Sequence, residues 1–278
     1  MKDWEGYRKQ YEEFKEVKQS QDWFKVYDIG YDVLAIYEPY HFQEVISYLI
    51  KGKDKAILWD TGLGVGDMKK CVNELWDKEL IVVNSHHHFD HIAGDYQFDK
   101  VYIFNHPDMI DVVTKPYDKV EEEYTSDQFA DDAPIKEFIY EFKPINYETI
   151  EEGHEFDLGE RCFKVINTPG HAKDEIMLVN EKEKLLFTGD EYYPAPLYCF
   201  ENTFDVYVET MDWLAKDYKD YTLITSHNEP IRKGEIFIDI AKGFHEIQDK
   251  KVKPVKEFGE RELYEFETFA IIKKKEDY

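Results

Sequence analysis

The segment Asn84-Ser85-His86-His87-His88-Phe89-Asp90-His91 places four histidines and an aspartate within six positions. It directly follows the apolar run 79–83, which is typical of a buried β-strand. Imidazole nitrogens and carboxylate oxygens are the ligands with which proteins bind Zn²⁺ and similar divalent ions. His86 and His88 are two positions apart, and an aspartate–histidine pair follows at the turn, so the segment offers two pairs of ligands. One ion needs three or four ligands, so further ligands must come from elsewhere in the chain.

Three later segments repeat this arrangement, because each is an apolar strand followed by a residue that can bind a metal. They are 162–166 followed by Thr168-Pro169-Gly170-His171, 184–187 followed by Thr188-Gly189-Asp190, and 222–225 followed by Ser226-His227. Ligands at four strand ends in one chain predict a shared metal centre rather than unrelated polar turns.

In this order the motifs resemble those of the metallo-β-lactamase superfamily of metal-dependent hydrolases, over about residues 22–240. The resemblance implies an α/β fold, the four-layer αββα sandwich of that superfamily. It also implies a binuclear metal centre. One ion would be bound by His86, His88 and His171, and the other by Asp90, His91 and His227, with Asp190 bridging both. The superfamily places an Asp-Thr-Gly turn beside its metals, and Asp60-Thr61-Gly62 matches it, so we expect Asp60 to accept the N–H of a ligand histidine.

The resemblance further implies two divalent ions as cofactors. Zinc is the first expectation, and iron and manganese are alternatives because imidazole and carboxylate suit all three. Two ions about 3.5–4 Å apart share one hydroxide, and the pKa of a metal-bound water falls to about 7 in favourable cases. Asp90 is expected to orient this hydroxide in addition to binding a metal. We therefore expect an enzyme, a binuclear metal-dependent hydrolase that uses a metal-bridging hydroxide on a small molecule.

The sequence leaves the substrate class open. A small ester, lactone or thioester is the first expectation, because Tyr193 follows Asp190 by three positions, as in lactonases of the superfamily, and would donate to the tetrahedral oxyanion. Glyoxalase II-like thioesterases are close in chemistry, although the sequence shows no obvious basic site for glutathione carboxylates. One alternative is a phosphodiesterase acting on a small phosphorylated molecule. The other is a di-iron redox protein. Such relatives have a carboxylate in their first motif at the position of His88, so this alternative fits the chain less well.

Composition limits the partners and the domain organisation. The chain has 278 residues, with 35 Lys and Arg against 60 Asp and Glu and a net charge of −25, which is unsuited to binding nucleic acid. We expect one domain over 1–278, with a variable cap or insertion at about 115–142 and a C-terminal extension at about 250–278. No apolar run is long enough for a bilayer, no signal peptide is evident, and the three cysteines are widely spaced. These features predict a cytoplasmic protein without membrane or nucleic-acid partners, of open oligomeric state.

Several local predictions concern elements around this centre. The spacing of apolar residues at 4–19 predicts an amphipathic helix. The segment Leu263–Ile272 is predicted to end in an edge strand, followed by lysines at 273–275 that discourage further pairing. The loop containing His41 is expected to fold over the metals, and His87 is expected to point away from them.

Overall fold

The computed structural model describes residues 8–115, 120–135, 138–199 and 202–275. Within these ranges the strands form three sheets. The strands are β1 (Lys15–Glu16), β2 (Lys25–Asp28), β3 (Val33–Tyr37), β4 (Ile46–Lys51), β5 (Lys55–Trp59), β6 (Glu79–Val83), β7 (Val101–Phe104), β8 (Tyr147–Ile150), β9 (Glu155–Asp157), β10 (Cys162–Asn167), β11 (Ile176–Asn180), β12 (Leu185–Phe187), β13 (Pro196–Cys199), β14 (Thr222–Ile224), β15 (Ile231–Lys233), β16 (Lys256–Phe258), β17 (Arg261–Glu265) and β18 (Ala270–Lys274). The α-helices are α1 (Met68–Leu75), α2 (Phe89–Ile92), α3 (Pro107–Thr114), α4 (Phe204–Asp217) and α5 (Ile236–Gln248), and short 3₁₀ helices lie at Lys9–Glu13, Asp95–Gln97 and Val120–Tyr124.

The first sheet contains β1 to β8 in chain order. Its strands are antiparallel from β1 to β5 and parallel from β5 to β8. The second sheet has the order β15-β14-β12-β11-β10-β9, with β12 and β14 parallel. Parallel neighbours need a crossover connection, and helix α1 lies between β5 and β6 while α4 lies between β12 and β14.

The two larger sheets face each other and have helices on their outer sides. Successive side chains of a strand point to opposite faces of the sheet, so each sheet packs against the other sheet on one face and against helices on the other. In β5, Ile57 joins the core between the sheets, whereas Leu58 packs in the cluster that includes α1 and α3. In β12, Phe187 joins the same inner core, whereas Leu186 packs with α4 and α5. These four layers confirm the predicted αββα sandwich.

The third sheet has the order β13-β18-β17-β16 and is built largely from the end of the chain. β18 pairs in parallel with β13 on one side and in antiparallel with β17 on the other. A strand is present at the end of 263–272 as predicted, but the prediction that it lies at a sheet edge is wrong. The segment divides into two strands, and Ile271 and Ile272 of β18 are buried because the strand is covered on both sides.

The predicted N-terminal helix is also wrong over the described residues. Lys9–Glu13 forms a 3₁₀ helix, and the chain is extended from Phe14 into β1. The ring of Tyr11 packs against the rings of Tyr27 and Tyr37, with centroids 4.6 Å away in both cases. Burial of this ring against the first sheet outweighs the local preference for a helix, as tertiary packing commonly does.

Phe187 provides a test of the core between the sheets. Its fully buried ring lies edge-on to Tyr48 and Phe163, with centroids 5.6 and 5.9 Å away. We expect Phe187→Ala to lower the free energy of unfolding by about 3–5 kcal/mol, because a large cavity would remain between two sheets. Urea denaturation would measure this loss. Ile238→Ala on the outer face of α5, where the side chain is 49% exposed, should change the same quantity by less than about 0.5 kcal/mol. Equal losses in the two variants would contradict this description of the core.

Candidate metal centre

Seven side chains predicted as metal ligands converge beyond the carboxyl ends of strands from both larger sheets. They are His86, His88, Asp90, His91, His171, Asp190 and His227. The first four follow β6 of the first sheet, and the other three follow β10, β12 and β14 of the second. Six of the seven are buried, and His88 is half-buried. The structure therefore brings together every residue that the motifs single out.

Backbone hydrogen bonds join the two sheets at this point. The Ile176 amide of β11 donates to the Ser85 carbonyl at 3.0 Å, and the Ile46 amide of β4 donates to the Ser226 carbonyl at 2.7 Å. Ser85 precedes His86, and Ser226 precedes His227. The ligand loops of the two sheets are thus held in register with each other by main-chain contacts.

His86, His88 and His171 form the first group. Nδ1 of His88 lies 3.0 Å from Nε2 of His86 and 2.9 Å from Nε2 of His171. Nitrogens bound to one tetrahedral zinc at 2.0–2.1 Å would lie about 3.3 Å apart. The three ring nitrogens therefore have nearly the spacing that one ion requires.

Asp90, His91 and His227 form the second group. Nε2 of His91 and Nε2 of His227 each lie 3.6 Å from Oδ2 of Asp90 and 3.3 Å from each other. Asp190 lies between the groups. Its Oδ1 is 3.2 Å from Nε2 of His91, and its Oδ2 is 3.5 Å from Nε2 of His171. Oδ1 of Asp190 is buried and accepts no hydrogen bond of normal geometry within the described residues, so the donor set fits two cations better than it fits a hydrogen-bond network.

Four of the histidines are oriented through their other ring nitrogen, Nδ1. A partner at Nδ1 fixes the tautomer and leaves Nε2 free to bind a metal. The partners are Asp60 Oδ2 for His91 at 2.8 Å, Ser85 Oγ for His86 at 3.0 Å, the Tyr198 carbonyl for His171 at 3.2 Å and the Gln43 carbonyl for His227 at 2.6 Å. The contact predicted for Asp60 is confirmed.

The pKa values of the ligand histidines differ between the two groups. Burial, reinforced by neighbouring histidines, lowers the pKa of His86 and His88, so these rings are neutral and can offer a lone pair. Burial acts in the same direction on His91 and His227, but the carboxylates of Asp190 and Asp90 outweigh it and raise the pKa of both. The carboxylates thus concentrate negative potential at the second group, which favours a cation there.

Two buried glutamates that the motifs did not indicate hold the ligand loops in place. Glu175 Oε1 accepts the Asp190 amide at 3.0 Å, and Glu191 Oε2 accepts the His171 amide at 3.1 Å. Gly189 has a φ of +50°, and a Cβ at this position would overlap Glu175 Oε1. The only sequence signal for either glutamate is its place next to a ligand loop.

His87 and His41 lie outside both groups of potential ligands. Nδ1 of His87 is 2.6 Å from Oδ1 of the fully buried Asp174, so this histidine points away from the metal ligands as predicted. His41 is also fully buried, and its Nε2 contacts the Glu123 carbonyl at 2.8 Å. The His41 loop is thereby joined to the segment at 115–142, and it contributes Phe42 and Gln43 to the cavity described next.

A cavity of about 640 Å³ opens over the ligands. Its floor contains His88, Asp90, His171, Asp190 and His227, and its walls contain Phe42, Gln43, Phe89, Glu122, Glu123, Tyr193, Ala195, Pro196, Tyr198, Asn228 and Arg261. This size is typical of a site for a small molecule. The insertion and the third sheet both contribute to its walls.

Tyr193 lies in the cavity wall with its ring 4.9 Å from that of His227. Its hydroxyl donates to the Pro196 carbonyl at 3.1 Å. Burial raises the pKa of Tyr193, which keeps the hydroxyl protonated. The structure therefore places a phenolic donor near the ligands, although its proton is directed to the backbone.

The sequence profile of the Metallo-beta-lactamase superfamily matches residues 44–227. The chain therefore belongs to the metallo-β-lactamase superfamily, a family of metal-dependent hydrolases, which confirms the prediction of a hydrolytic enzyme. It is 26% identical to the human (Homo sapiens) acyl-coenzyme A thioesterase MBLAC2 over 196 residues, covering 63% of this chain and 69% of that protein. It is 30% identical to the hydroxyacylglutathione hydrolase of Francisella philomiragia over 149 residues, covering 54% of this chain and 48% of that protein.

Solved structures show the same fold at low sequence identity. An archaeal metallo-β-lactamase superfamily protein from Sulfolobus tokodaii matches with a TM-score of 0.56 and 19% identity, covering 83% of this chain and 91% of that one. A sec-alkylsulfatase from Pseudomonas sp. matches with a TM-score of 0.62 and 17% identity, covering 84% of this chain and 46% of that one. Within the described ranges, no helix has both the length and the apolar character required to cross a membrane.

Two more buried carboxylates support the loops beneath the second group. Asp95 accepts hydrogen bonds from Thr61 Oγ1 at 2.7 Å and Asn84 Nδ2 at 3.1 Å, and burial raises its pKa to about 8. Glu38 accepts from the Trp23 indole and from the Leu63 amide, and burial raises its pKa to about 7. Both carboxyl groups therefore keep their protons to a higher pH in the folded protein than exposed carboxyl groups do.

Asp95 yields a prediction for the pH dependence of stability. Its pKa is about 8 in the folded protein and about 3.9 in an unfolded chain, so the folded state binds more protons between these values and stability falls as pH rises from about 4 to about 8. In chelator-containing buffer, Asp95→Asn should lose less stability over this interval than the wild type. Urea denaturation at several pH values would measure the difference. Glu38 titrates in both proteins, so its contribution cancels in the comparison. Parallel pH profiles would contradict the raised pKa.

Proposed function

We propose that this protein is a thioester hydrolase that uses two divalent metal ions, zinc in the first instance. The observation that carries the proposal is the convergence of seven potential metal ligands, five of which lie on the floor of one cavity. His86, His88 and His171 would bind one ion, and Asp90, His91 and His227 the other. Asp190 would contact both. When bound, the ions supply a hydroxide at neutral pH and polarise the substrate carbonyl.

The protein's own side chains would position the reactants. Asp90 belongs to the second group and also lines the cavity. With Oδ2 directed at His91 and His227, its other oxygen can accept a proton from the attacking water and orient it. Glu175 and Glu191 would keep the Asp190 and His171 loops at fixed separation through their hydrogen bonds to the backbone.

Two relatives support a thioester as the substrate class. Acyl-coenzyme A thioesterase and hydroxyacylglutathione hydrolase are both named for the hydrolysis of thioesters. The cavity volume of about 640 Å³ suits a small molecule or the reacting end of a larger one. We further propose that residues 1–278 act as one catalytic domain in the cytoplasm. The single domain is supported by Glu122 of the insertion and Arg261 of the C-terminal extension, which both line the cavity. The cytoplasmic location is supported by Cys71, Cys162 and Cys199, which form no disulfide.

Tyr193 would stabilise the tetrahedral oxyanion. Its hydroxyl has one proton, which is donated to the Pro196 carbonyl in this structure. A rotation of the hydroxyl proton away from that carbonyl would redirect the donor toward the cavity, which the ring already lines. This role depends on a carbonyl substrate, because it concerns the oxygen of a tetrahedral intermediate.

Metal content and thioester hydrolysis test the proposed function together. Protein purified with added zinc should contain about two ions per chain and hydrolyse simple S-acyl thioesters, as measured by thiol release. His88→Ala and Asp190→Ala should each reduce metal content and lower kcat/KM by more than about a hundredfold, since even partners of ligands contribute 10–100-fold. Circular dichroism would verify that both variants fold.

His245→Ala is the matched control, because this half-exposed histidine of α5 pairs with Asp212 outside the cavity. It should retain wild-type metal content and activity. Full activity in Asp190→Ala, or metal-independent hydrolysis by the wild type, would refute the proposed roles.

A second prediction concerns Tyr193. Tyr193→Phe should lower kcat on thioesters, esters and lactones by about tenfold or more, because it removes one oxyanion donor. Activity on phosphodiesters should change much less. Tyr192→Phe is the control, since Tyr192 is buried beside Phe237 and is not part of the cavity wall. An equal loss on carbonyl and phosphodiester substrates, or no loss, would remove Tyr193 from the oxyanion site.

A further inference from the structure

Arg261 is a cation in the wall of a cavity that is otherwise acidic. The acidic residues of the wall and floor are Asp90, Glu122, Glu123 and Asp190. Among the cavity residues that the structure describes, Arg261 is the only lysine or arginine. In a chain with a net charge of −25, an arginine at this place gives one wall a preference for negative charge.

The third sheet positions Arg261 relative to the metal centre. Arg261 begins β17 and is opposite Lys274 of β18, while Leu263 of β17 and Tyr198 of β13 are both opposite Ile272. Residues opposite each other share a face, and so do residues two apart along a strand. Arg261 and Tyr198 therefore lie on one face of the sheet, two strands apart, and this face lines the cavity.

The same strand connects Arg261 to a metal ligand. The carbonyl of Tyr198 accepts the Nδ1 proton of His171 at 3.2 Å. β18 joins β13 to β17 by continuous pairing, so Arg261 is held on the sheet that orients His171 rather than on an independent loop. Burial raises the pKa of Tyr198, and Arg261 opposes this shift, because its guanidinium is close enough to favour the ionised phenol.

Arg261 and Lys274 face each other directly in the antiparallel pair, and like charges in this position are destabilising. A guanidinium binds planar oxyanions through paired hydrogen bonds, for which lysine is a poor substitute. The Tyr198 hydroxyl provides a second donor on the same face.

We propose that Arg261, assisted by Tyr198, is a specificity-determining residue that binds a carboxylate or phosphate on the substrate, remote from the reacting carbonyl. This inference rests on the proposed thioesterase function and adds to it that the preferred thioesters are anionic. The oxyanion would be bound at the wall formed by the third sheet, and the thioester carbonyl would lie over the metal ligands.

The test compares three S-acetyl thioesters, those of mercaptohexanoic acid, mercaptohexyl phosphate and mercaptohexanol. Wild-type protein loaded with zinc should prefer one or both anionic thioesters to the alcohol, and the better of the two identifies the oxyanion. Arg261→Gln should lower kcat/KM for the preferred anion by about tenfold, corresponding to one charge-assisted hydrogen bond at an exposed site. Its kcat/KM for the alcohol should stay within about twofold of the wild type.

Two further variants separate recognition from structure. Lys274→Gln removes the charge opposite Arg261 but leaves the cavity wall intact, and it should keep the preference. Arg261→Lys should lose most of it, because an ammonium cannot form the paired contact. A similar loss of activity by Arg261→Gln on all three thioesters would indicate a structural role and overturn the proposal.

Binding distinguishes failure of this inference from failure of the proposed function. The S-ethyl thioethers of the same three thiols cannot be hydrolysed, and calorimetric titration of zinc-loaded and metal-free protein would give their Kd values. Tighter binding of an anionic thioether that depends on Arg261 would support the site even if no thioester were hydrolysed. Equal Kd values for all three thioethers in wild type and Arg261→Gln would overturn it, even if thioester hydrolysis were confirmed.

Discussion

The structure depends on the convergence of four strand-end loops at one buried place. Five imidazoles and two carboxylates meet there. Where two ring nitrogens face each other, few N–H protons are available for hydrogen bonds between them. Nδ1 of His88 lies within 3.0 Å of two other ring nitrogens, an arrangement in which a cation satisfies the lone pairs better than hydrogen bonds do. The two facing sheets, their main-chain links and the flanking helices all serve to keep these loops together.

A set of buried polar groups outside the ligands makes this convergence possible. Asp60, Glu175 and the carbonyls of Gln43 and Tyr198 each contact a histidine through the nitrogen that faces away from the centre. Glu175 and Glu191 also accept backbone amides of the ligand loops. Burying so many carboxylates has an electrostatic cost, and burial raises the pKa of Glu175 and Glu191. The hydrogen bonds that these two groups accept from backbone amides offset part of this cost.

The cavity above the centre is shaped by parts of the chain that lie outside the two facing sheets. The insertion provides Glu122 and Glu123, and its backbone is joined to the His41 loop. The third sheet provides Pro196, Tyr198 and Arg261. The potential metal ligands on the floor of the cavity and the residues of its walls are therefore provided by different elements, one built on strand ends and the other on added segments.

The sequence by itself determined the fold class and the set of candidate metal ligands. Motifs such as His86-x-His88-x-Asp90-His91 are local, and a ligand that follows a buried strand must lie at the sheet edge where that strand ends. Only the tertiary structure decided what surrounds them. Glu175 and Arg261 have no local signature, since their contacts join residues far apart in the chain. Tyr11 departed from its predicted helix because burial against a sheet outweighs local periodicity. The strand of Ile271 is not at an edge because β13, a distant segment, pairs with it. Both contacts are defined only once distant segments have packed.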